Sequence, residues 1–155
     1  MDIGGRIFRM LPGFSFCVLL LSCSGKPTES PNDSGSVLVV TGDKGFEDFF
    51  REFTVDPTFQ EERINYPLPY FYYEEYADTM SINEIDMGSW RYINFADDSL
   101  AKNKKTDAYT VHVDQQDSIT VDYTRHGVDN GIFVTYSFRK EAGIWYLTKI
   151  EDRSN

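Results

Sequence analysis

The sequence predicts an α+β domain in which two short helices precede a run of antiparallel strands. Phe46, Phe49, Phe50 and Phe53 recur at i, i+3, i+4 and i+7, the spacing of one helical stripe. From Tyr109 onward apolar and polar residues alternate instead, in four successive runs, which is the period of half-buried strands.

Ahead of these elements, Arg6 and Arg9 precede an apolar run from Phe14 to Leu21, and the small residue Ser22 stands directly before Cys23. This is the layout of a secretory signal peptide. The run is much shorter than the roughly 20 residues that span a hydrocarbon core, so residues 1–22 read as a segment to be removed, not as a membrane helix. Leu20-Leu21-Ser22-Cys23 resembles the lipobox of bacterial lipoproteins, whose cysteine sulfur receives a diacylglycerol and becomes the first residue after cleavage. Cys23 is therefore the expected lipidation site, and the membrane the expected partner through palmitate-type chains. One acyl chain anchors only marginally at about 0.8 kcal/mol per buried methylene, whereas two or three hold firmly. Ser24 beside the anchor is compatible with transport to the outer membrane, so the expected location is the cell envelope.

The two cysteines leave nothing for a disulfide, because Cys17 lies in the discarded segment and Cys23 would become a thioether. The formal charge of the chain is -10, and removal of Asp2, Arg6 and Arg9 makes the remainder one unit more negative. A surface of that sign repels nucleic acid, which is excluded as a partner. Residues 23–36, with Pro27, Pro31 and a run of Ser, Gly, Asn and Asp, read as the acylated cysteine and a flexible tether. Residues 37–155 have the length of one domain and no internal repeat.

Within that domain, Asp43 is placed to cap the phenylalanine helix. Asp56-Pro57 repeats a start signal, an acidic cap with proline at the first helical position, for a helix from Pro57 to Arg63 that Pro67 and Pro69 terminate. Tyr70 to Tyr76 reads as extended, and Ile82 to Phe95 fits neither helical nor strand period. The strands follow: Tyr109, Val111 and Val113; Ile119, Val121 and Tyr123; Ile132 to Phe138 after the Asn130-Gly131 turn; and Ile144 to Ile150 after Ala142-Gly143.

The residues Phe49-Phe50-x-x-Phe53, Asp56-x-x-Phe59-Gln60-x-x-Arg63-Ile64, Pro67-Leu68 and Trp145-Tyr146-Leu147-x-x-Ile150 resemble an uncharacterised lipoprotein family of the Bacteroidetes, domain of unknown function 4348. The resemblance runs from about residue 45 to 151, apart from the stretch around Met80 to Lys105. It implies an NTF2-like, cystatin-type cone, in which helices close a bent sheet whose open end often forms a pocket. It implies no activity, since the architecture serves enzymes and binding proteins alike.

Candidate site residues fall in two groups. Tyr66 to Tyr76 is dense in aromatics beside Glu74 and Glu75, which makes Tyr70, Tyr72 and Tyr73 candidate ligand contacts, a glycan included. Tyr123, Arg125 and His126 form the second group, with His112 and Asp122, because Asp/His/Tyr sets inside such cones move protons in isomerases and dehydratases. Alternation sets Asp122 opposite Tyr123 and puts His112 on the outer face, while His126 beside Gly127 reads as part of a loop. The two histidines are far apart in sequence and have no cysteine partner, so no metal site and no cofactor is expected. Gln60 and Arg63 read as a structural junction, Arg63 pairing with Asp56, Glu62 or a deeper carboxylate. Trp90 and Trp145 read as core, although Trp145 and Leu147 also suggest an apolar face for a homodimer. The leading expectation is a noncatalytic, lipid-anchored domain that binds a small molecule, glycan or protein. An enzyme of isomerase or dehydratase type using the cone, and a structural envelope subunit, are the alternatives.

Overall fold

The computed structural model describes residues 42–155; the signal segment, Cys23 and the tether lie outside the described residues. Helix α1 (Phe46–Phe53) and helix α2 (Pro57–Glu62) are followed by strands β1 (Leu68–Tyr73) and β2 (Met80–Ile85). Two 3₁₀ segments, Met87–Ser89 and Ala96–Asn103, lead into β3 (Tyr109–Gln115), β4 (Thr120–Gly127), β5 (Phe133–Glu141) and β6 (Ile144–Asp152). Among the described residues no helix is long and apolar enough to cross a membrane.

The expected four-strand meander β3 to β6 is present, each strand antiparallel to the next. A hairpin of β1 and β2 extends it, giving a single sheet in the order β2-β1-β6-β5-β4-β3. The sheet is mixed, because β1 pairs with β6 in parallel, Tyr70 opposite Ile150 and Tyr72 opposite Asp152. The β5–β6 register shifts between Ser137 and Phe138, an irregularity of the kind that bends a strand. The segment that fits neither period is thus an edge strand and a 3₁₀ turn in succession.

The phenylalanine stripe packs on the concave face as predicted. Phe53 and Phe138 are fully buried, and Phe138 meets the rings of Phe46, Phe49, Phe50 and Phe53 at 5.3 to 5.9 Å. Tilted and edge-on ring pairs of this kind add about 0.5–1.5 kcal/mol each beyond area burial. Trp145 and Leu147 join the same core, Trp145 lying edge-on to Phe46 at 5.2 Å, so they offer no separate face for a second copy.

Two caps differ in outcome. Asp56 caps α2 as expected, accepting from the backbone N–H groups of Thr58 and Phe59 at 2.8 and 3.1 Å. Asp43 does not cap α1, whose N-cap is Gly45 with no side-chain bond. Its carboxylate instead accepts from the Trp145 backbone N–H at 2.7 Å and from Arg63 at 3.3 Å, which ties the chain entering α1 to β6. Arg63 therefore finds the deeper carboxylate, not Asp56 or Glu62, and its guanidinium lies over the Phe59 ring at 4.7 Å.

Candidate functional site

Alternation along β4 sends Val121, Tyr123 and Arg125 to the concave face, where Asp98 descends from the second 3₁₀ segment. Arg125 grips Asp98 with both oxygens engaged, Nε to Oδ2 at 2.8 Å and Nη2 to Oδ1 at 2.9 Å. Tyr109 donates to Oδ1 at 2.7 Å and Tyr123 to Oδ2 at 2.8 Å. A carboxylate offers about four acceptor positions, and here all are filled. Two of the three remaining guanidinium N–H groups reach the Tyr136 hydroxyl at 3.1 Å and the Asn94 carbonyl at 2.9 Å. The rings of Phe95, Tyr136 and Tyr109 surround the cation at 4.8, 5.2 and 5.5 Å.

The electrostatics follow from this geometry. Burial, then the hydrogen bond to Asp98, pushes the Tyr109 phenol up to about 12. Burial and the Asp98 charge push Tyr123 further in the same direction. Burial alone would lower Arg125, but Tyr136 and Asp98 more than offset it and hold the guanidinium above its ordinary value. Every lone pair of the acid is engaged, and the phenols hold their protons. The cluster acts as a bolt between the 3₁₀ segment and the sheet, beside a cleft of about 460 Å³ lined in part by Phe95, Lys102 and Tyr109.

A second concavity, of about 330 Å³, lies toward the β1 side of the same face. Ile85, Ile93, Val134 and Ile150 give it apolar walls, Tyr70, Trp90 and Tyr136 give it rings, and Asp152, Ser89 and Arg91 contribute polar groups. Asp152 accepts from the Tyr70 hydroxyl at 3.1 Å and from the Ser154 backbone N–H at 2.9 Å, which leaves about half its acceptor positions without a partner among the described residues. Burial first, and Asp152 second, raise the Tyr70 phenol to about 12. Three buried side-chain atoms lack a partner among the described residues, Tyr66 Oη, Trp90 Nε1 and Trp145 Nε1. Of these residues, Trp90 lines this cavity. Tyr136 belongs to both sites, its ring in the cavity wall and its hydroxyl on Arg125.

The structure separates the sequence candidates. Tyr70 lines the cavity, and Tyr72 stacks on it at 5.5 Å. Tyr73 alternates to the outer face and is exposed. Tyr123 and Arg125 converge, but on Asp98. His126 lies within β4, not in a loop, and its side chain is on the outer face beside His112, their rings 6.2 Å apart. Asp122 is on that outer face too, as its parity requires. No group of three or more metal-ligating side chains occurs among the described residues. Asp98, Trp90 as a cavity wall, Tyr136 and Asp152 are the residues that sequence reasoning missed. Asp98 and Trp90 lie where the pattern has no period; Tyr136 and Asp152 were legible only as strand positions.

Solved structures with this architecture come from several Bacteroides species. An NTF2-like protein from Bacteroides fragilis NCTC 9343 superposes with a TM-score of 0.52 at 22% identity, over 74% of this chain and 50% of its own. The present chain thus spans about half the length of that relative. A cystatin-like protein from Bacteroides caccae ATCC 43185 gives 0.52 at 18% identity, over 72% and 77%, and a protein from Bacteroides uniformis ATCC 8492 gives 0.51 at 18%, over 71% and 77%. These likenesses define the class: an α+β protein of NTF2-like, cystatin-like fold. No curated protein matches. Residues 38–152 match DUF4348, a domain of unknown function, and the chain belongs to that family.

Proposed function

We propose that this protein is a lipid-anchored component of the cell envelope whose domain binds a small ligand, without transforming it, in the cavity at Tyr70, Trp90, Tyr136 and Asp152. The observation that carries this reading is the half-used carboxylate of Asp152 on the wall of an otherwise largely apolar hollow. Ligand sites combine such apolar walls with a few convergent polar groups. The noncatalytic part rests on the other cluster, where every acceptor position of Asp98 is filled and His126 lies across the sheet from Tyr123. A proton-transfer site needs a base that can reach its proton. The anchor is inferred from the lipobox resemblance at Cys23.

Thermal-shift screening of the mature chain tests the binding claim. A ligand at a hundredfold excess over its Kd stabilises by about 2.7 kcal/mol. Hits are expected to lose that shift in Tyr70→Ala. Hits that bind this variant unchanged would place the ligand elsewhere and overturn the reading.

A further inference from the structure

Two opposite charges line the hollow at Tyr70, and they come from different elements. Asp152 stands half-buried on β6, and Arg91 stands exposed on the segment after the first 3₁₀ turn. Among the described residues they do not pair with each other. Arg91 gives one guanidinium N–H to the Trp90 carbonyl at 2.7 Å, and Asp152 accepts from Tyr70 and Ser154. Most of the guanidinium donors and about half of the carboxylate's acceptor positions are left for a guest. Both charges are carried on fixed backbone. Tyr92 donates to the Thr54 carbonyl at 2.6 Å and Gln60 binds the N–H and carbonyl of Ile93, which holds the segment around Arg91. Asp152 is set by its register opposite Val134.

Much of the remaining wall is hydrocarbon, from Ile85, Ile93, Val134 and Ile150. Ile150 is buried, so the charged groups sit where the hollow meets solvent and the aliphatic wall lies deeper. A cation alone meets Asp152 but faces Arg91, and an anion alone does the reverse. A sugar hydroxyl bonds to either charge, but its ring brings further hydroxyls against aliphatic side chains, where they lose water without gaining a partner. A molecule with an ammonium and a carboxylate at one end and a hydrocarbon at the other suits the whole lining. Its hydrogen bonds to Asp152 and Arg91 are charge-assisted, about twice as strong as neutral ones. Its apolar body leaves water for the isoleucine wall. At about 330 Å³ the hollow is near the lower end of small-molecule sites, roughly 300–1,000 Å³, which favours one residue over a peptide. Resting on the binding reading above, we propose that the cavity takes a free α-amino acid with an apolar side chain, its ammonium on Asp152 and its carboxylate on Arg91.

The test is titration calorimetry of the mature chain at pH 7 with leucine and phenylalanine. The controls for leucine are 3-methylbutylamine, which lacks the carboxylate, and 4-methylpentanoate, which lacks the ammonium; glucose is the uncharged control. At least one of the two amino acids is expected to bind with a millimolar or tighter Kd, at least tenfold tighter than every control. Asp152→Asn and Arg91→Gln are each expected to weaken it at least tenfold, with the fold intact by circular dichroism. Their effects on the controls are expected to be reciprocal. Asp152→Asn removes the charge that repels 4-methylpentanoate and leaves its affinity unchanged or higher, and Arg91→Gln does the same for 3-methylbutylamine. A residue that merely supports the fold would weaken all the compounds together, and that pattern overturns the assignment of the two charges.

If a control outbinds both amino acids and loses its affinity in Tyr70→Ala, the amino-acid inference fails while the binding reading stands. If neither amino acid binds, the inference fails. If, in addition, no screened compound loses its thermal shift in Tyr70→Ala, the binding reading falls with it.

Discussion

Replacing Asp98 with asparagine would leave the Arg125 guanidinium, 14% exposed, without its counter-charge. Breaking a buried pair from one side typically costs about 3–5 kcal/mol, and Asp98→Asn is expected to lose that much in urea denaturation. Alkali should act on the half-buried phenols of the domain, of which Tyr109 belongs to this cluster. Tyr66, Tyr70 and Tyr109 are raised from 10.0 to about 12, so the fold favours their protonated forms. Their contribution is fully present below pH 10 and is lost as pH rises from 10 to 12. Stability measured across that range should fall, and less steeply in Tyr109→Phe. A flat profile would contradict the assignment. Tyr123 and Arg125 were legible because strand parity alone puts them on one face. Asp98 was not, since its partners lie far along the chain and nothing local marks an acid that will be buried.

At the scale of elements, Gln60 holds α1, α2 and the loop before the second 3₁₀ segment together. It is completely buried, donating to the carbonyls of Phe53 and Ile93 and accepting from the Ile93 N–H at 2.8 Å. Gln60→Leu keeps the volume but strands those backbone groups, which should lower stability by about 2–3 kcal/mol and slacken the Ile93 wall of the cavity. Helix α2 was readable to within a residue because its Asp56 cap and Pro57 act locally. The role of Asp43 was misread because capping is only one use of a carboxylate near a helix start. Here the Trp145 N–H, brought close by the β5–β6 hairpin, outcompetes the helix. Ile82 to Phe95 had no period to find: β2 is an edge strand with Ile82 60% exposed, and a 3₁₀ turn follows at once.

For the whole molecule, the meander could be predicted because each strand pairs with its chain neighbour. The parallel β1–β6 seam could not, since it joins segments that no local pattern relates. The proposed anchor also belongs to this scale. Cys23→Ser removes the sulfur that would carry the lipid, and the protein is expected to move from the membrane pellet to the soluble fraction. Unchanged fractionation would refute the lipoprotein assignment.

The Tyr70–Asp152 bond joins positions 82 apart in the sequence, across the first and last strands of the fold. Contacts of such separation carry a large loop-closure cost and form late and slowly. During synthesis the hollow therefore cannot exist until Asp152 is in place, so a partly made or unfolded chain has nothing to offer a ligand. Occupancy would report completed folding, and a ligand present during refolding would trap finished molecules rather than guide unfinished ones.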